Sequence, residues 1–345
     1  MTAIDPKFTA LRGAVDMTHG AGGRAMADLI RDVFFKHLAN DYLAQGNDGA
    51  LLGKVGGRLV MATDAHVISP LFFPGGDIGA LAVHGTINDV AMMGARPLWL
   101  SASFVLEEGF SLAALEKIVA SMALAAREAG VPVVTGDTKV VEKGKGDGVF
   151  ISTTGIGVLA DETDVSGSNA RPGNAILVSG TMGDHGVAIL SKRENLEFET
   201  EIVSDSQPLH DLVAAMLACA PGVRVLRDPT RGGLSATLNE IAHQSKAGMV
   251  IREAAVPVKP EVSAACELLG LDPLNIANEG KLIAICDAAD AEALLAAMQA
   301  HPKGRDAAII GEVVVDARAL VRMHTRLGGM RVVDWIAGEQ LPRIC

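Results

Sequence analysis

The sequence predicts a two-domain chain of mixed α/β (α+β) class, and three observations carry that expectation. Strand-like and helical apolar periodicities are interleaved along the whole chain. A length of 345 residues suggests two domains rather than one. A polar stretch at 161–174, DETDVSGSNARPGN, contains Pro172 and Gly173 and separates two apolar regions. Domains are therefore expected over 1–160 and 161–330, with a mobile tail over 331–345.

In chain order, residues 58–61 read as a strand, and Asp89 falls among apolar residues on a predicted helix. Leu112, Leu115, Val119, Met122 and Ala126 recur at helical spacing, closed by Gly130 with Pro132 beyond. Strands follow at 131–134, 149–153 and, past the polar break, 175–178. Residues 192–207 form a polar excursion, and 208–220 a helix with Leu209, Leu212, Val213, Met216 and Leu217 apolar. Pro260 suits a first helical turn, and Gly270 stops that helix. Residues 282–286 and 309–315 read as strands, with an alanine-rich helix at 288–300 between them. No short repeat occurs, which excludes solenoids and propellers.

Composition narrows the function. Apolar residues make up 49% and aromatics only 3%, so the cores must be built from Ala, Val, Leu, Ile and Met. Apolar surplus of this kind serves large cores or an interface between subunits. A net charge of −11 with no basic run argues against nucleic acid and acidic membranes as partners. The start, MTAIDPKFTALRG, lacks a secretory apolar core, and no stretch approaches the roughly 18–20 apolar residues of a membrane span. The four cysteines show no CxxC spacing, which disfavours zinc or a disulfide framework. Cys219, Cys266 and Cys286 lie in apolar surroundings, whereas Cys345 ends the chain; a cytoplasmic location fits all four.

Two segments imitate a dinucleotide fingerprint and fail. Gly20 to Ala25 follows no apolar strand, and Gly155-Ile156-Gly157 precedes no helix start. A P-loop is absent as well. The carboxylates are more informative: Asp48 lies in GNDGALL, Asp64 ends RLVMATD, Asp89 lies in GTINDVAMMGA and Asp137 ends PVVTGD. A single Asp at a strand end can serve as a turn former or cap. Four in apolar settings are costly unless neutralised, and oxygen-only ligands point to Mg²⁺ held together with phosphates. Gly-dense loops at HGAGG (19–23), FFPGGDIGA (72–80) and DPTRGG (228–233) could offer backbone N–H groups to phosphate oxygens. Lys139, just beyond Asp137, could reach a phosphate.

In order along the chain, THGAGG, GNDGALL, TDAHVISPLFFPGGDIG, GTINDVAMMGARP, VVTGDTKVV, RDPTRGGL, NEG and the terminal PRIC resemble the HypE family of hydrogenase maturation proteins. That family lies in the superfamily of aminoimidazole ribonucleotide synthetase, thiamine-monophosphate kinase and selenophosphate synthetase. The likeness spans essentially the whole chain, and terminal PRIC is its most specific element. It implies a two-domain aminoimidazole ribonucleotide synthetase-like fold, a homodimer paired through N-terminal sheets, and a flexible C-terminal tail. It further implies ATP at Gly20, Gly22, Gly23, Asn88 and Lys139, with Mg²⁺ at Asp48, Asp64, Asp89 and Asp137. Cys345, Lys139 and Glu279 are the implied catalytic residues. Selenophosphate synthetase itself fits poorly, because the first cysteine here is Cys219.

The implied reaction is ATP-dependent dehydration of a carbamoyl group on Cys345 to a thiocyanate. A carbamoyltransferase similar to HypF would load the group, and an iron scaffold similar to HypC–HypD would accept cyanide for a nickel–iron hydrogenase. Residues 336–345 could span about 33–36 Å when extended, enough for a swinging arm. Two other readings stand beside this one. One is a kinase or synthetase of the same superfamily acting on a free small molecule; the other is a non-catalytic nucleotide-binding scaffold. Only the dehydratase accounts for the terminal cysteine.

Overall fold

A computed structural model describes residues 13–196, 200–335 and 343–345. The N-terminal half begins with a helical segment, α1 (Arg24–Leu29) and α2 (Lys36–Leu38), joined through a π-helical stretch. Strand β1 (Arg58–His66) and a short hairpin, β2 (Phe72–Phe73) and β3 (Gly76–Asp77), lead into α3 (Ile78–Met92). Then come β4 (Arg96–Glu107), α4 (Leu112–Ala129), β5 (Val133–Val141) and β6 (Val149–Leu159). The sheet order is β1-β6-β4-β5, with β4 and β5 parallel and the other pairs antiparallel.

Both long helices pack on one face of this sheet. Asp77 caps α3 by accepting from the Gly79 and Ala80 N–H groups. Most of α3 is buried, and Gly79 lets it approach α4, where a Cβ would collide with the Ile118 carbonyl. Among the described residues no α-helix covers the other sheet face, and Leu59 (65% exposed) and Met61 (73%) stand on it. The same face carries the polar rows Thr63–Thr154–Ser101 and Ser152–Ser103–Asp137.

The C-terminal half contains β7 (Ala175–Val178), α5 (Asp184–Arg193), α6 (His210–Cys219), β8 (Val223–Arg227), α7 (Gly233–Ser245) and β9 (Gly248–Arg252). These are followed by α8 (Pro260–Leu269), β10 (Ile283–Cys286), α9 (Ala291–Ala300), β11 (Ala308–Val314), β12 (Val321–His324) and β13 (Met330–Val332). The seven-stranded sheet runs β13-β12-β9-β11-β7-β10-β8. Alternation divides its side chains between two cores. Ile176, Val178, Ile283 and Ile285 pack with α7, while Leu177, Ala284 and Cys286 pack with α6 and α9. The expected helices ending at Gly130 and Gly270 end there, with both glycines left-handed at φ 69° and 68°.

Residues 331–335, expected at the head of the tail, lie in this sheet or against it. β13 pairs with β12, Val333 is 2% exposed, and Trp335 stacks on His243. The remainder of the expected tail, 336–342, is outside the described residues.

Candidate active site

Four carboxylates meet where the two halves join. Asp64 comes from β1, Asp89 from α3, Asp228 from the loop between β8 and α7, and Glu279 from the loop before β10. Burial, then Asp228, Asp205, Asp64 and Asp89, push the Glu279 carboxyl well above its ordinary range. Burial, then Asp228 and Asp64, raise Asp89 to about 7, and burial raises Asp228 to about 6. Glu279 is 4% exposed, and its Oε1 has no hydrogen-bond partner among the described residues. Gly280 makes this placement possible, since a Cβ there would collide with the Asp205 carbonyl oxygen. The Glu279 N–H donates to Asp205 Oδ1 at 3.0 Å. Arg231 supplies positive charge within electrostatic reach of Asp89 and of the Cys345 sulfur.

Such a set suits a hard cation. The donors are all oxygen, their negative charge is only partly offset, and one buried oxygen is unpaired. Among the described residues no three side chains form a ready cage, so phosphate oxygens or water would have to complete the shell.

The C-terminus is docked in this cleft. Residues 343–345 lie antiparallel to 67–69: the Val67 N–H donates to the Cys345 carbonyl oxygen at 2.9 Å and the Ser69 N–H to Arg343 O at 3.2 Å. Ile344 is 4% exposed and belongs to the N-terminal core. His185 Nε2 hydrogen-bonds the Ile344 carbonyl at 2.8 Å. The Arg193 guanidinium donates to Ser69 O and Arg343 O, and Arg343 pairs with Asp147. Burial and then Glu279 hold the Cys345 thiol far above its ordinary pKa, so the docked sulfur stays protonated.

A second group of expected residues sits elsewhere. The row Asp64–Thr153–Ala102–Gly136 crosses the N-terminal sheet on its helix-covered face. The next row, Ala65–Ser152–Ser103–Asp137, lies on the open face. Asp137 is therefore three strands from Asp64, about 14 Å, and points the other way. Lys139 donates to it at 2.6 Å and holds its carboxyl below the ordinary range. The HGAGG loop lies against the same strand, because a Cβ on Gly20 would meet Val140 at 2.9 Å. A cavity of about 140 Å³ opens beside Asp137, lined by Met26, Ile30, Phe34 and Phe104. Asp48 lies on an exposed stretch before β1.

The four acidic positions expected to act as one group thus divide within a single chain. Asp64 and Asp89 line the cleft, Asp137 marks the opposite sheet edge, and Asp48 is a surface residue. Asn88, expected at ATP, is buried in the domain junction. Its amide donates to the Gln207 and Glu279 carbonyls, and its oxygen accepts from the Leu209 N–H. Sequence reasoning missed Asp228 and Arg231, which share the DPTRGG loop singled out for its glycines. Gly232 and Gly233 there are left-handed and open α7, and Gly233 sits so close to the Leu274 and Ile276 carbonyls that no Cβ would fit.

Two α/β halves with an acidic junction and no P-loop define an AIR synthase-related protein. Residues 46–159 match the N-terminal domain of that family and residues 171–323 its C-terminal domain. Within it the chain belongs to the HypE family. It is 71% identical over 334 residues to the carbamoyl dehydratase HypE of Cupriavidus necator, covering 96% of this chain and 95% of the relative. A crystal structure of the hydrogenase maturation protein HypE in complex with ATP superposes with a TM-score of 0.92 at 52% identity, covering 95% of this chain and 99% of that one. A HypE–HypF complex gives 0.79 at 49% identity, covering 89% and 99%.

Proposed function

We propose that the chain is an ATP-dependent carbamoyl dehydratase whose substrate rides on its own Cys345 sulfur, serving nickel–iron hydrogenase maturation. The docked C-terminus supports this reading, because the last thiol lies within electrostatic reach of the buried Glu279 carboxylate, one oxygen of which has no hydrogen-bond partner among the described residues. Membership of the HypE family supports it. A partner similar to HypF would load the group, and the HypE–HypF crystal structure makes this the best supported of the partners. A HypC–HypD-like iron scaffold is the proposed cyanide acceptor. No described helix is long and apolar enough to cross a membrane, and a cytoplasmic site of action fits that observation.

The chemistry balances as follows. The carbamoyl oxygen bonds to the γ-phosphorus, ADP leaves, and one N–H proton is lost as C=N forms. The second N–H proton then passes to Glu279, the C–O bond breaks, and phosphate departs, leaving a thiocyanate. Glu279 can accept a proton only when ionised, and its acidic neighbours oppose that. Mg²⁺ held by Asp64 and Asp89 together with phosphate oxygens would supply the positive charge that permits it. Lys139 steadies the transferring phosphoryl group as a compact cation. Because Lys139 stands in a row of the open sheet face, this reading joins it to the carboxylate cleft through a homodimer.

Single-turnover kinetics on enzyme already carbamoylated at Cys345 test these roles. Lys139→Ala should block ADP formation. Glu279→Gln should slow thiocyanate formation more than ADP formation. Parent rates in both variants would overturn the two assignments.

A further inference from the structure

Main-chain pairing alone does not fix where the C-terminus stops. The ladder between 67–69 and 343–345 offers the same N–H and C=O groups at every second residue. A slip by one such repeat would move the sulfur by about 7 Å, out of reach of Glu279. The Ile344 side chain, buried in the N-terminal core, sets that register, and His185 adds a side-chain hold on the docked chain. His185 is 0% exposed on the first turn of α5, with its ring edge-on to Phe73 at 5.7 Å between centroids. Both ring nitrogens are engaged: Nδ1 with Ser204 Oγ at 2.8 Å, Nε2 with the Ile344 carbonyl at 2.8 Å.

The hydrogen-bond directions are determined. A carbonyl only accepts, so Nε2 carries the proton and Nδ1 accepts from the Ser204 hydroxyl. That hydroxyl oxygen in turn accepts from the Ser206 N–H at 3.1 Å, and the Ser204 N–H donates to Pro74 O at 2.9 Å. The imidazole is therefore held at a fixed angle and tautomer by the 204–206 segment, with one donor left to aim at the tail. Undocking would leave that donor without its protein acceptor.

We propose that His185, oriented by Ser204, is the positioning residue that holds the C-terminus docked and so keeps the Cys345 sulfur beside Glu279. This rests on Cys345 as the group carrier, but its first test does not need turnover.

The test is the rate at which iodoacetamide alkylates Cys345 in the full chain, read by mass spectrometry of the C-terminal peptide. His185→Asn retains a group at the Nδ1 position for Ser204 but is too short to reach Ile344. It should raise the alkylation rate about 3- to 10-fold, the weight of one hydrogen bond. His185→Gln, whose amide reaches the Nε2 position, should return the rate toward the parent value. ADP formation on carbamoylated enzyme should fall in His185→Asn and recover in His185→Gln. An unchanged alkylation rate in folded His185→Asn, or a Gln variant as reactive as the Asn one, would overturn the proposal. Should His185→Asn fail to fold, Ser204→Ala replaces it, with a faster alkylation expected and an unchanged rate counting against the idea. Altered alkylation without any dehydration in the parent would leave the docking role standing and sink the dehydratase reading.

Discussion

Glu279 owes its state first to burial and then to neighbours of its own sign, and the same holds for Asp89. Asp89 sits at about 7 in the fold against an ordinary 3.8, so the folded chain binds a proton there that the unfolded chain releases. Its contribution to stability is fully present below about pH 4 and is lost as pH rises through about 7. The nucleotide-free protein should therefore show a falling denaturation midpoint between pH 5 and 8. Asp89→Asn should flatten that fall and weaken Mg²⁺-dependent ATP binding. A variant with parental pH dependence and reduced stability at every pH would show Asp89 to be a plain structural residue. Chemistry at this scale is only partly legible in sequence. Asp64 and Asp89 stand out because each falls in or at the end of an apolar run, whereas Glu279 stands out only through the family resemblance. Asp228, Arg231 and His185 do not, because contacts between residues 185 and 344 or 64 and 228 have no local signature.

Elements were legible where they begin and end on glycine or proline. The helix closed by Gly130 and the one opened by Pro260 match the sequence reading closely. Strands proved longer than their apolar runs suggest. β6 continues to Leu159 through Gly155 and Gly157, which are small because Val90 of α3 crowds them. β5 continues past Gly136 and Asp137, so a position that looks like a strand end is in mid-strand. The loop carrying Glu279 depends on glycine in the same way. Gly280→Ala should cost about 1–3 kcal/mol by overpacking against Asp205 and Gln207, measured by urea denaturation. Gly23→Ala, at φ −96° with open space around it, should leave stability within about 0.5 kcal/mol. Equal effects at both positions would contradict this account of the close approach.

At the scale of the whole molecule, Asp64 and the Asp137–Lys139 pair lie on opposite faces of one four-stranded sheet. The composition leaves open whether the apolar surplus serves cores or an interface, and exposed Leu59 and Met61 on an uncovered sheet favour an interface. If a site is completed between two copies, Lys139→Ala and Glu279→Gln subunits should complement each other. A random mixture should recover about a quarter of parent activity, because half the dimers are mixed and each keeps one intact site. Absence of recovery in verified mixed dimers would restrict each site to one chain. The central claim, that the protein dehydrates a group on its own last residue, has a more direct test. The C-terminal peptide is weighed after carbamoyl loading, with and without ATP and Mg²⁺. The account predicts that Cys345 gains a carbamoyl group and then loses the mass of one water when ATP is added. Loss of water at another residue, or an unchanged carbamoylated Cys345 after ATP is consumed, would contradict it.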